Sequence, residues 1–92
     1  MAKSIMQTEK ECYVTGSTLN LHKHHIFGGP FRKKAEKWGL WVYLRADYHI
    51  QTPNAVHNNR EFDLELKKEA QRNFECLYGH ELFMREFRKN YL

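Results

Sequence analysis

Ninety-two residues, 41% hydrophobic and 14% aromatic, suffice for one packed core and are too few for two, which argues against both disorder and a multidomain chain. Fifteen Lys and Arg against eleven Asp and Glu leave a formal charge of +4, a balance that favours a polyanion such as nucleic acid without requiring one. Cys12 and Cys76 lie far apart with no CxxC pair, and no apolar run is long enough for a bilayer, so the expectation is a soluble, cytoplasmic protein with reduced thiols and no membrane association.

In chain order, residues 1–11 read as a polar arm. CYVTGSTLNLHKHHIF, residues 12–27, reads as two short strands around a Gly16-Ser17 turn, because β-branched and aromatic residues flank it. GGPFRKKAEKWG, residues 28–39, is a basic connection with a short helix ended by Gly39. LWVYLR, residues 40–45, is the strongest strand pattern in the chain. In the compact stretch ADYHIQTPNAVHNN that follows, Pro53 limits any helix.

From Asn59 the period changes. Asn59 suits a helix N-cap, and Phe62, Leu66, Ala70 and Phe74 recur at i+4 spacing, joined by Leu77. That helix should end near Gly79, and a last helix, ELFMREFRKN, should pack Leu82, Phe83 and Phe87. Phe27 and Trp41 read as core. Strands early and helices late predict an α+β fold.

Four of the six histidines form a pattern: the pair His24-His25, then His49, then His57. Neutral imidazole is a ready ligand for a divalent transition metal, and three protein ligands with an open position suit a catalytic site. In an adjacent pair one ring can hold metal while the other takes a proton near neutral pH. His22 shares a strand face with His24 and reads as a surface group in preference to a supporting or phosphate-binding one. His80 follows Gly79 and carries no assigned role.

The residues "HHIF…LWVYLRADYH…VH" resemble the HNH endonucleases, the His-Me finger or ββα-metal nucleases, in a small phage-type branch. The resemblance covers residues 12–57 most closely, with counterparts also in VHNNREFDLELKKEAQ and HELFMREFRKNY. It implies one domain over residues 1–92, with a ββα-metal core at 12–58 and a helical part at 59–92. It implies that His24, His49 and His57 hold one divalent metal and that His25 is the general base. The implied activity is hydrolysis of DNA phosphodiester bonds, with Mg²⁺ or Mn²⁺ for turnover and Zn²⁺ or Ni²⁺ as alternative occupants. Arg32, Lys33, Lys34 and Lys37 are candidates for contacting the DNA backbone, with a solvated helix face as the equal alternative.

The chain departs from the family's pattern in three places. The middle Asn falls near Leu40, with Asn54 or local packing as its substitute. The four positions of the family's structural zinc are Cys12, Thr15, Arg45 and Tyr48, so no structural zinc is expected. His49 and His57 are widely spaced, which requires Pro53 and Asn54 to turn the chain. These losses leave open a catalytically degenerate scaffold that binds nucleic acid or protein, for example a phage-encoded inhibitor. A homodimer and a protein partner are also left open.

Overall fold

The computed structural model describes residues 3–92 and, at Gln51, the backbone alone. It is an α+β fold in which a two-stranded antiparallel sheet of β1 (Leu21–His25) and β2 (Trp41–Arg45) packs with three helices, α1 (Arg32–Trp38), α2 (Arg60–Tyr78) and α3 (His80–Phe87). Among the described residues, no helix is long and apolar enough to cross a membrane.

The register pairs Leu21 with Arg45, His22 with Leu44, His24 with Val42 and His25 with Trp41. Residues directly opposite share a face, and faces alternate along each strand. His22 and His24 therefore lie on the side of Val42 and Leu44, both fully buried. Lys23 and His25 lie on the side of Tyr43 and Trp41. Trp41 is accordingly not core, against expectation: it is half-buried on the outer face with the Lys23 ammonium 4.1 Å from its ring centre. Phe27 is core, against Phe83, Phe87 and Tyr91.

Two expectations about the N-terminal part need correction. Residues 12–20 form no strand. Cys12 and Ser17 close a tight turn instead, with Gly16 at φ +76° and its N–H donating to the Cys12 carbonyl. Strand-forming residues there have no complete edge to pair with, because the far edge of β2 is shared between side chains of the arm and single groups of Cys12 and Tyr13. Ser4 Oγ donates to the Trp41 carbonyl, Gln7 Oε1 accepts from Tyr43 N, Tyr13 N donates to the Tyr43 carbonyl, and Cys12 Sγ accepts from Arg45 N. The polar arm is thus an edge cover over the described residues 3–11, and the first two residues of the expected arm lie outside the described ones. Such a cover satisfies backbone groups that would otherwise recruit another strand.

The connection between the strands follows expectation. A 3₁₀ turn, Gly29–Phe31, carries Pro30, α1 buries Ala35, and Gly39 ends it at φ +71°. Gly39 is also the point where the arm crosses, and a Cβ there would sit 2.2 Å from the Lys3 carbonyl oxygen.

The Asn59 side chain caps α2 by accepting from Phe62 N at 3.1 Å, and Leu66, Ala70 and Phe74 are buried on one stripe. Leu77 breaks the expected stripe and is 61% exposed; at the last turn Tyr78 packs instead, against Trp38 and Phe74. Gly79 separates α2 from α3, whose Phe83 and Phe87 complete the core with Ile26, Phe27, Leu40, Val42, Leu44 and Val56. Gln71 is fully buried in α2 and fully used. Its amide nitrogen donates to Glu75 and Asn90, and its oxygen accepts from Tyr91 N, which ties the C-terminal segment down.

Candidate metal centre

Between β2 and α2 the chain makes a π-helical turn, Asp47–Gln51, and a 3₁₀ turn, Val56–Asn58. The first carries His49 and the second His57. Three groups hold this segment in shape. Arg45 makes a two-pronged bond to the Asp47 carboxylate at 2.7 and 2.8 Å, and Thr52 Oγ1 donates to the Asp47 carbonyl. Asn58 Nδ2 donates to the carbonyls of Ile50 and Thr52, both at 3.0 Å. Asn58 therefore braces the segment that carries His49, while Asn54 is exposed. Ala55 and Val56 anchor the segment in the core. Short π-helical turns are rare and recur at functional sites.

The result brings three distant residues together. The ligand-capable atoms of His24, His49 and His57 all lie within 4.8 Å of one another, and His49 Nε2 is 3.0 Å from His57 Nε2. An ion holding nitrogens at ~2.1 Å places them roughly 3–3.5 Å apart, so closure requires a shift of about 1 Å. Two observations fit a metal at this point. His24 is 4% exposed and its buried Nε2 has no hydrogen-bond partner, a vacancy of the kind that usually demands an explanation. Burial first, then the neighbouring His49 and His57, push the His24 pKa down to about 3. Burial, then His57 and His22, push His49 down to about 4. Both rings are neutral at physiological pH, which is the form that binds a divalent ion.

His25 stands next to this group in a different environment. Its Nε2 is 3.0 Å from Glu36 Oε1, and the same oxygen accepts from Lys23 Nζ at 2.7 Å. The Lys23 bond, followed by the His25 bond, holds the Glu36 carboxyl below the usual carboxylate range. An ionised Glu36 can only accept, so His25 places a proton on Nε2, and in its neutral tautomer Nδ1 is the lone-pair nitrogen. His24 and His25, adjacent in sequence, thus separate into a buried ring whose Nε2 has no hydrogen-bond partner and a ring oriented by a carboxylate.

His24, His25, His49 and His57 line one cleft of about 290 Å³ with Lys23, Gly28, Gly29 and Arg32. A Cβ placed on Gly28 or Gly29 would meet nothing within 4 Å, so the cleft is open above that backbone. A wider groove of about 530 Å³ between residues 3–10 and the Trp41 and Tyr43 rings holds no histidine or cysteine.

The basic run divides. Arg32 reaches the cleft and Lys33 is exposed. Lys34 instead donates to the Glu86 carbonyl at 3.0 Å, with the Glu86 carboxylate 3.8 Å away, and Lys37 lies 5.1 Å from the Trp38 ring centre. On α1, Arg32 lines the cleft and Glu36 at i+4 bonds His25 beside it, while Lys34 and Trp38 face α3. Leu40 is fully buried and offers no side-chain hydrogen bond.

At three of the positions compared above with a structural zinc site, Cys12 Sγ accepts from Arg45 N at 3.3 Å and the Arg45 guanidinium lies 5.4 Å from the Tyr48 ring centre. Hydrogen bonds and a cation–π contact occupy this corner.

Sequence reasoning missed Glu36 and undervalued His22. Glu36 did carry a signal, as the lone acid in the run RKKAEKW. His22 did not: its Nδ1 is 3.0 Å from His49 Nδ1, a contact created by a turn 27 residues away. His80 begins α3 and bonds Glu75, away from the cleft. Compared with protein-family models, curated proteins and solved structures, the chain gives no match.

Proposed function

We propose that the protein is a metal-dependent endonuclease that hydrolyses DNA phosphodiester bonds at this cleft. The observation that carries the reading is the convergence of three histidine nitrogens, one of them buried and without a partner, beside a fourth histidine oriented by a carboxylate. His24, His49 and His57 would hold the ion. A bound divalent cation supplies charge neutralisation to the phosphate as the bond to the leaving oxygen breaks. Mg²⁺ or Mn²⁺ fits turnover; Zn²⁺ or Ni²⁺ fits the imidazole set by softness.

His25 Nδ1 takes the proton of the attacking water, and the charge of the resulting imidazolium is offset by Glu36 through Nε2. The water oxygen forms its bond to phosphorus opposite the leaving oxygen. Arg32 contributes a fixed positive charge on the rim of the same cleft, suited to a neighbouring phosphate. The open backbone at Gly28 and Gly29 gives the strand room to approach.

The test is incubation with supercoiled plasmid and Mg²⁺ or Mn²⁺, with and without EDTA. Nicking that requires metal and is lost in His25→Ala supports the reading. The buried Leu40 at the family's middle Asn favours a second reading, a scaffold that binds nucleic acid or protein without cutting. Metal binding with no nicking under any condition selects it.

A further inference from the structure

His49 is the only ring of the cluster with close histidine nitrogens on both sides: His57 Nε2 at 3.0 Å from its Nε2, and His22 Nδ1 at 3.0 Å from its Nδ1. The His22 and His49 rings meet edge to face at 84°, with centroids 5.1 Å apart. A neutral imidazole has one N–H and one lone pair. The chain of three rings therefore allows two proton arrangements. In one, His22 Nδ1 donates to His49 and His49 Nε2 donates to His57, which leaves no lone pair on His49 for an ion. In the other, His49 carries its proton on Nδ1, donates it to His22, and turns a bare Nε2 towards His24 and His57.

We infer that His22 is a positioning residue for the metal centre: its Nδ1 lone pair accepts the Nδ1 proton of His49, and so selects the tautomer of His49 that can bind an ion. This rests on the proposed metal site and goes beyond it by assigning a partner to one ligand. Metal-binding histidines generally donate their second nitrogen to a carboxylate, carbonyl or water, and such partners are worth about 10- to 100-fold in affinity. At His49 that acceptor is another histidine. The placement follows from the strand: His22 and His24 project from the same face of β1, two residues apart, so one strand supplies both a ligand and the support of a second ligand. A separate ion between His22 and His49 would have two protein ligands, fewer than the three or four that a protein site usually supplies.

The test is calorimetric titration of Mn²⁺ and Zn²⁺ into wild type, His22→Phe and His22→Asn. Nuclear magnetic resonance of ¹⁵N-histidine-labelled wild type with Zn²⁺ accompanies it. His22→Phe should bind about 10- to 100-fold more weakly at unchanged one-to-one stoichiometry. His22→Asn, whose side-chain oxygen can accept the same proton, should recover most of the loss. The spectrum of Zn²⁺-loaded wild type should show the His49 proton on Nδ1, with N–N coupling to His22. Equal affinity in wild type and His22→Phe, or a His49 proton on Nε2, overturns this inference and leaves the metal site standing. A second ion lost with His22 would make it a ligand and also overturns it. Failure of wild type to bind either ion removes the metal site and the inference together.

Discussion

The Glu36 carboxylate lies 3.0 Å from His25 Nε2, reaching from the middle of α1 to the last residue of β1. Because Lys23 shares the same oxygen, the carboxylate is fixed from two directions and the imidazole is held in one orientation. Glu36→Gln keeps the shape and removes the charge. Nicking should fall roughly 10- to 100-fold, a fraction of the worth of a positioned base, while Mn²⁺ affinity stays within about threefold, well short of the loss of an outer-shell partner. Equal losses of both would place Glu36 in the metal centre instead.

The four cleft histidines should separate into two classes. His25→Ala should lower cleavage by about 100- to 10,000-fold with metal affinity nearly intact. His24→Ala, His49→Ala and His57→Ala should weaken metal binding first, and excess Mn²⁺ should restore part of the activity of the exposed His57 variant. Calorimetry beside plasmid nicking distinguishes them. Loss of metal in His25→Ala with retention in His24→Ala would mean that the two roles are exchanged.

The metal-free protein should be acid-sensitive in a defined window. The His24 and His49 pKa values, about 3 and about 4 in the fold, lie below the ordinary histidine value near 6.5. As pH drops below that value the unfolded chain takes up protons that the folded one refuses. The stabilisation is complete above about 6.5 and is lost as pH falls through the folded values. In EDTA, the melting temperature should therefore drop between pH 7 and pH 5, and His24→Leu should flatten the slope. A melting temperature independent of pH across this window would contradict the burial of the two rings.

The basic run of α1 should not behave as a unit. Arg32→Ala should weaken DNA binding across sequences and reduce the log–log salt slope by roughly one. Lys34→Ala should leave the slope unchanged and lower stability by less than about 1 kcal/mol, as expected for a half-exposed pair with Glu86. Filter binding at several salt concentrations decides the matter; equal slopes in both variants would return the whole run to a solvated face.

Gln71 offers a test of the core alone. Gln71→Leu removes three hydrogen bonds and strands Tyr91 N, so unfolding free energy should fall by about 1–3 kcal/mol. Urea denaturation measures it, with metal affinity expected to be unchanged.

What the sequence made legible follows from where each signal lives. The α2 cap at Asn59, its apolar stripe from Phe62 to Phe74, the Gly39 stop and β2 are local patterns, and each is where periodicity and capping put it. The grouping of His24, His49 and His57 was legible only through a family resemblance, since no local rule links residues 33 apart. The arm's part as an edge cover was not legible because Ser4 and Gln7 satisfy the edge of β2 through their side chains, with no strand of their own. Leu77 was misread because the i+4 stripe drifts around α2 and the last turn presents Tyr78. Arg32 and Lys34 look alike in sequence, and only the position of α3 assigns them opposite fates.

The segment from Asp47 to Asn58 gives the molecule two levels of cooperativity. Its shape depends on Arg45, Thr52 and Asn58, polar groups near the surface, with Ala55 and Val56 sunk among the core residues and Tyr48 packed against them. The strands and the α2–α3 pair are bound by a continuous hydrophobic cluster that does not include these polar links. His49 and His57 can therefore separate from His24 by local opening, at a free energy below that of global unfolding. An ion at the centre would stitch this segment to β1, so amide protection at residues 47–58 should rise with metal while protection in α2 stays nearly constant.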